Sequence, residues 1–138
     1  MEKKNIDWSS IGFAYMPTDY RYVSNFKDGK WDEGTLSTDP NIVLNECAGV
    51  LQYSQSVFEG LKAYTTEDGH IVTFRPDLNA ERMAASAARL EMPVFPKERF
   101  IDAVEQVVKA NAAWVPPYGS GATLYLRPYM FGSNAVIG

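Results

Sequence analysis

The sequence has few of the residues that metal sites, disulfides and many nucleophilic centres require. Its 138 residues include one cysteine, Cys47, and one histidine, His70. A lone cysteine excludes a disulfide within the chain and is compatible with a reducing compartment. One histidine and one cysteine form no recognisable metal-ligand set, so no metal site is expected. We expect an exposed, inert His70 beside a turn and a buried or incidental thiol at Cys47.

Long apolar runs and clustered positive charge are also lacking. No stretch reaches the ~18 apolar residues of a membrane helix. The charged N-terminus leads into no apolar run, so a signal peptide is not expected. A net charge of −4 does not favour binding to nucleic acid or to anionic membranes, which select clustered Lys and Arg. We therefore expect a cytoplasmic protein that binds neither.

The apolar content is sufficient for one core. Apolar residues make up 46% of the chain and aromatic residues 13%, in a length typical of a single domain. We divide the chain into a polar lead-in at 1–10, a domain at 11–131 and the start of a connector at 132–138. Because no capping element follows the connector, we expect the sequence to be one part of a longer protein.

Asp-Gly pairs at 28–29 and 68–69 predict two hairpins, since this dipeptide between apolar runs is the strongest short hairpin signal. Strands are predicted at 11–15, 19–26, 30–37, 61–66, 70–74 and 122–131. Helical spacing predicts helices at 50–60, from Pro76 onward and at 97–114, with Asp77 as a cap for the second. Hairpins without a regular strand–helix alternation indicate an α+β fold, a mostly antiparallel sheet with helices packed on one side.

The predicted strand 122–131 carries an arginine between two tyrosines. Alternation gives one face Thr123, Tyr125, Arg127, Tyr129 and Phe131, and the other, a core face, Leu124, Leu126 and Met130. A guanidinium matches a carboxylate or a phosphate. The pattern therefore fits equally an anion pocket with aromatic walls and a buried structural arginine paired with an acidic residue. Pro128 predicts an edge strand or an early strand end.

Two other cations have local settings that bear on chemistry. Arg75 immediately precedes a predicted helix start, which favours anions, so it is either a phosphate contact or an ordinary surface arginine. Lys62 would need desolvation or a cationic neighbour to act as a nucleophile at neutral pH. Nothing adjacent supplies either, so we expect Lys62 to face solvent.

Four motifs resemble those of branched-chain amino acid aminotransferases, which are pyridoxal 5′-phosphate enzymes of fold type IV. The motifs are residues 52–64, 74–83, 114–116 and 124–128. The resemblance covers 11–138 and corresponds only to the smaller N-terminal domain of that family. It implies a D-amino acid aminotransferase-like small domain, within a protein that forms a homodimer.

The resemblance also implies site residues. Arg75 would contact the cofactor phosphate. The implied substrate-binding residues are Phe13, Tyr53, Phe58, Tyr125, Arg127 and Ile137. The four aromatic residues would line the pocket and orient the substrate carboxylate. Arg127 would help to accept the distal carboxylate of glutamate, and Ile137 would lie on an interdomain loop that reaches the partner subunit's active site.

The implied reaction transfers an amino group from leucine, isoleucine or valine to 2-oxoglutarate, giving a branched-chain 2-oxo acid and glutamate. The family's lysine that binds the cofactor covalently belongs to a C-terminal domain, and Lys62 is not that lysine. We therefore expect no catalytic residue and no transaminase activity in this chain alone. The alternatives are another fold-type IV enzyme (a D-amino acid aminotransferase or an aminodeoxychorismate lyase) or a non-catalytic domain that self-associates through bare apolar surface.

Overall fold

A computed structural model describes residues 2–12 and 15–135. The predicted site residues Phe13 and Ile137 lie outside these ranges. The strands are β1 (Arg21–Val23), β2 (Phe26–Lys27), β3 (Lys30–Trp31), β4 (Thr35–Ser37), β5 (Ser56–Phe58), β6 (Leu61–Thr65), β7 (Ile71–Thr73), β8 (Leu124–Leu126) and β9 (Tyr129–Phe131). The α-helices are α1 (Gly49–Tyr53), α2 (Pro76–Arg89) and α3 (Lys97–Ala110). Short 3-10 helices cover Trp8–Ser10 and Ala112–Trp114.

The N-terminal hairpin forms around the predicted Asp-Gly turn. Strand β1 pairs antiparallel with β4, and β2 with β3. Asp28 and Gly29 both have positive φ, 55° and 82°, as a type I′ turn requires. Between the two pairings, the Asp32 carboxylate accepts hydrogen bonds from the Ser24 hydroxyl and the Asn25 backbone N–H. These bonds, the Ser24 bond foremost, hold the pKa of Asp32 below its ordinary value.

A second antiparallel ladder joins β5 and β6 to β9 and β8. Phe58 lies opposite Tyr129, and Leu61 lies opposite Leu126, in one continuous register. This register sets Gly60 opposite Arg127. Strand β7 extends the sheet through the predicted second hairpin, pairing antiparallel with β6.

One side of this ladder is buried against the helices. The core residues that it contributes are Val57, Leu61, Ala63, Leu126 and Met130. They join a single cluster with residues of α2 and α3, namely Ala80, Met83, Ala87, Phe100, Val104 and Val108. Every strand pair in the described residues is antiparallel. The predicted α+β class, with helices packed on antiparallel strands, is therefore confirmed.

Several predicted elements differ from those observed. The predicted helix 50–60 stops at Tyr53, because Ser54 adopts a left-handed conformation and 56–58 pairs with β9 instead. The predicted strand 122–131 is two strands, because Pro128 has no N–H to donate to the ladder. Helix α3 ends at Ala110, four residues before the predicted end.

Two further predictions were wrong at the chain's N-terminal end and at the start of α2. Ile11, Gly12 and Tyr15, the described residues of the predicted strand 11–15, are not in a strand. Asp77 lies in the first turn of α2 and does not cap it; the capping position is Arg75, whose side chain makes no cap hydrogen bond.

Asn111 joins the end of α3 to the lead into the N-terminal hairpin. It is 2% exposed. Its Oδ1 accepts hydrogen bonds from the backbone N–H groups of Asp19 and Tyr20, at 3.1 and 2.9 Å. Its Nδ2 donates to the carbonyl oxygens of Tyr20 and Val107, both at 2.9 Å. One buried amide thus satisfies four backbone groups.

We predict that Asn111→Ala lowers the free energy of unfolding by about 2–4 kcal/mol, because it removes the side-chain partner of part-buried backbone groups of Asp19 and Tyr20. Urea denaturation of the protein measures this change. Asn41→Ala, in an exposed loop, is the control and is expected to cost less than about 0.5 kcal/mol. Equal effects of the two variants would contradict the structural role of Asn111.

Candidate functional site

The outward side of the β5–β6/β8–β9 ladder carries three of the five predicted site residues that lie in the described ranges. Its exposed aromatic members include Phe58, Tyr125 and Tyr129, with exposures of 59%, 37% and 51%. Arg127 lies between the two tyrosines and is also exposed. The alternation predicted for this strand is confirmed, since Leu126 and Met130 are buried on the other side. We call Phe58, Gly60, Tyr125, Arg127 and Tyr129 the outward face.

Gly60 leaves a gap in the outward face that Tyr125 fills. A Cβ built on Gly60 would lie 3.1 Å from two carbons of the Tyr125 ring and would collide with its hydroxyl. The phenol therefore crosses over Gly60, diagonally across the ladder, which is a usual cross-strand contact. Only glycine permits this approach without displacing the ring.

The same hydroxyl orients Arg127. The Tyr125 hydroxyl oxygen accepts hydrogen bonds from Arg127 Nε at 3.2 Å and from Nη2 at 3.1 Å. The guanidinium lies over the Phe58 ring, with Cζ 4.4 Å from the ring centroid. Arg127 is exposed rather than buried against an acidic side chain, so the buried structural arginine was the wrong alternative. The arrangement places a cation beside an apolar ring.

Arg75 lies at the start of α2. Its backbone is left-handed, with φ 46°, an uncommon conformation for a residue other than glycine. Nε and Nη2 donate to the two carboxylate oxygens of Asp77, at 3.0 and 2.8 Å. These bonds lower the pKa of Asp77 to about 2. The side chain of Arg75 is 54% exposed, so the guanidinium remains accessible at a helix N-terminus.

The prediction from sequence missed a polar cluster behind the outward face, formed by Glu59, Asn79 and Arg82. Arg82 Nη2 donates to Glu59 Oε1 at 2.7 Å, and Asn79 Nδ2 donates to the same oxygen at 3.0 Å. The hydrogen bond to Glu59 raises the pKa of Arg82 above its ordinary value. The available signal was a glutamate at a core-facing position of an alternating strand, with a polar pair three residues apart on a helix.

The other candidates are Tyr53, Lys62, His70 and Cys47. Tyr53 ends α1 and is 61% exposed. Lys62 is exposed, as predicted, opposite Tyr125 on the ladder. The His70 side chain is 78% exposed, with Nδ1 3.4 Å from an oxygen of Asp68. Cys47 is half-buried and free.

Neither a metal-binding cluster nor a membrane-spanning helix is found in the described part of the chain. It holds no cluster of three or more His, Cys, Asp or Glu side chains placed to bind a metal ion. Within residues 2–12 and 15–135, no helix has the length and apolarity needed to cross a membrane.

Three relatives found by comparison with known proteins are all named aminotransferases. No protein-family model matches the chain. The chain is 54% identical over 135 residues to a branched-chain-amino-acid aminotransferase from Haemophilus influenzae, covering 98% of this chain and 39% of that protein. Against the Helicobacter pylori branched-chain-amino-acid aminotransferase, the identity is 44%, with 98% and 40% covered. A methionine aminotransferase from Arabidopsis thaliana is 47% identical, with 97% and 38% covered. The chain thus spans about two-fifths of the length of these relatives.

Solved structures agree with the sequence relatives. The Escherichia coli branched-chain amino acid aminotransferase superposes with a TM-score of 0.66 at 24% identity, covering 88% of this chain and 35% of that one. The branched-chain aminotransferase of Thermoproteus uzoniensis, solved with norvaline, gives 0.61 at 25% identity, covering 85% and 35%. A branched-chain amino acid aminotransferase from T.th., complexed with N-(5′-phosphopyridoxyl)-L-glutamate, gives 0.60 at 28% identity, covering 74% and 32%. Over the stretch that it spans, the chain is a homologue of the N-terminal part of branched-chain-amino-acid aminotransferases and has the fold of the N-terminal domain of those enzymes.

Proposed function

We propose that the full-length protein containing this chain transfers amino groups between leucine, isoleucine or valine and 2-oxoglutarate. The observation that carries the proposal is the Arg127 guanidinium stacked 4.4 Å from the Phe58 ring centroid. Two substrates must use one pocket in this reaction, one with an apolar side chain and one with a carboxylate. An aromatic wall next to a cation serves both.

Arg127 can take a carboxylate without leaving Tyr125. A guanidinium has five N–H donors, and the described bonds to the Tyr125 hydroxyl come from Nε and Nη2. Carboxylates bind guanidinium groups through paired N–H donors. The distal carboxylate of glutamate would therefore bind here, whereas a leucine side chain would pack on Phe58. Tyr53 would add a further wall, and Phe13 and Ile137 keep the pocket roles that the family resemblance implies.

Arg75 is the residue of this chain that would hold the phosphate of pyridoxal 5′-phosphate. Its exposed guanidinium and the N-terminus of α2 both favour an anion, so the described residues fit a phosphate group. When bound, this cofactor accepts the amino group and serves as an electron sink. The lysine that binds it covalently is not expected in this chain, which would supply pocket walls and one phosphate contact. We propose a cytoplasmic homodimer whose C-terminal domain supplies that lysine.

The alternative functions predict different experimental results. A D-amino acid aminotransferase or an aminodeoxychorismate lyase would share this fold but would not prefer L-leucine. A non-catalytic domain would self-associate through exposed aromatic surface, such as Phe58 and Tyr129. The relative named a methionine aminotransferase makes methionine a substrate to include.

The test is to express the full-length protein, load it with pyridoxal 5′-phosphate and assay glutamate formation from 2-oxoglutarate with each L-amino acid and with D-alanine. We expect turnover with leucine, isoleucine and valine, and none from residues 1–138 alone. A folded, loaded full-length protein that does not use them would refute the proposal. Light scattering of the isolated chain tests the self-association reading.

We predict that Arg127→Leu in the full-length protein lowers kcat/KM for glutamate about 100-fold, since a hydrogen-bonded contact to a charged group is lost. The value for leucine should fall less than about threefold, because apolar packing on Phe58 remains. Steady-state kinetics with each substrate measure the two values. Arg99→Leu is the matched control, because Arg99 also stacks on a ring, Phe95, at 5.0 Å and donates to a tyrosine hydroxyl. Equal losses for both substrates would contradict this role of Arg127.

We also predict that Asp77 reports phosphate binding. Its folded pKa of about 2 lies below the ordinary 3.8 because Arg75 bonds its carboxylate. The stabilisation from this pair is thus present above pH 3.8 and is lost as pH falls toward 2. Arg75→Leu should return the pKa toward 3.8, and a phosphate that draws Arg75 away should raise it too. Carboxyl ¹³C NMR titration with and without inorganic phosphate measures both. No shift in Arg75→Leu would show that Arg75 does not set this pKa.

A further inference from the structure

The polar cluster behind the outward face holds a turn that two predicted pocket residues depend on. Glu59 and Gly60 connect β5 to β6. On this ladder, alternation directs Glu59 to the buried side, toward α2, between the core residues Val57 and Leu61. Its side chain is only 12% exposed. A carboxylate in this position requires hydrogen-bonding partners, because burying an unpaired charge is costly.

Helix α2 supplies those partners. Arg82 bonds the carboxylate through Nη2 at 2.7 Å and Nε at 3.2 Å. Asn79, which is 5% exposed, donates from Nδ2 to Glu59 Oε1 at 3.0 Å and to the Gly60 carbonyl oxygen at 3.1 Å. Asn79 therefore contacts both residues of the turn. The two helix residues hold the turn from behind at both its side chain and its backbone.

On its other side, the same turn contacts the residues of the outward face. Phe58, one residue before it, lies under the Arg127 guanidinium. Gly60, within it, is crossed by the Tyr125 phenol. The Glu59 N–H donates to the Pro128 carbonyl oxygen at 2.8 Å, which ties the turn to the break between β8 and β9. A shift of the turn would therefore move Phe58 and Gly60 against Tyr125 and Arg127.

We propose that Asn79 and Arg82 are positioning residues that set the width of the side-chain pocket between Phe58 and Tyr125. This inference rests on the proposed function, because it assigns that pocket to the substrate side chain. Each acts through the Glu59–Gly60 turn, which Arg82 contacts at the Glu59 carboxylate and Asn79 contacts also at the Gly60 carbonyl oxygen. Arg75 begins the same helix four residues before Asn79. The phosphate contact and the pocket wall are thus both attached to α2.

The experiment compares Arg82→Met with Lys97→Met in the full-length, cofactor-loaded protein. Each variant removes one cation and one ion pair of α2, since Lys97 bonds Glu81 of that helix at 3.0 Å. Only Arg82 contacts the turn. Asn79→Ala is the second variant and removes the hydrogen bonds to both turn residues. The measurements are kcat and KM for leucine and alanine, and amide hydrogen exchange at Glu59.

We expect Arg82→Met and Asn79→Ala to lower the preference for leucine over alanine about tenfold, mainly through KM for leucine, because small misplacements of pocket walls are costly. Exchange of the Glu59 N–H should accelerate about tenfold or more as the turn loosens. Lys97→Met should leave both within about twofold, as expected for an exposed ion pair.

Three outcomes would count against these claims, two of them against the positioning role and one against the proposed function. Folded Arg82→Met and Asn79→Ala proteins whose leucine preference equals that of Lys97→Met would overturn the positioning role, even with a fully active wild type. Unchanged exchange at Glu59 would overturn it without any activity measurement. A wild-type protein that does not use leucine, but whose Glu59 exchange accelerates in both variants, would refute the proposed function and leave the turn's anchorage supported.

Discussion

The described structure depends on one carboxylate held between a helix and a turn. Glu59 lies on the core side of the ladder, where its neighbours Val57 and Leu61 are buried. Without Arg82 and Asn79, this charge would face a largely apolar interior, which is unfavourable by several kcal/mol in an apolar medium. With them, it joins α2 to the strand pair. The position of α2 on the sheet and the shape of the turn therefore depend on the same hydrogen bonds.

The ladder has two different sides, because successive side chains of a strand point to opposite faces. The inner side carries small and aliphatic residues that meet α2 and α3, such as Ala63 and Leu126. The outer side carries rings and one guanidinium that are exposed in this chain. Gly60 is the point where the two sides meet, because its missing side chain admits Tyr125 in front while its carbonyl is held by Asn79 behind. A single glycine thus links the core to the face that we assign to substrate.

The outward face offers both a cation and an apolar aromatic surface. A guanidinium over a phenyl ring keeps its charge in contact with an apolar surface, and the Tyr125 hydroxyl fixes its direction. Under the proposed function, an apolar side chain and a carboxylate would be bound alternately at nearly the same place. Arg75 is placed differently, at a helix N-terminus and paired with Asp77, where a phosphate would compete with that carboxylate for the guanidinium.

Local signals in the sequence determined the elements that depend on neighbouring residues. The Asp28-Gly29 turn, the start of α2 at Pro76 and the alternation of Tyr125 to Met130 follow from φ preferences and strand period, which a short segment contains. The family motifs identified Phe58, Tyr125 and Arg127 as a group. Tertiary structure alone decided that 56–58 is a strand, because β9 offers its hydrogen bonds there. It also decided that Arg127 lies on Phe58, and that Glu59 meets Asn79 and Arg82, because these contacts join residues 20 or more positions apart and no local pattern encodes the geometry between them.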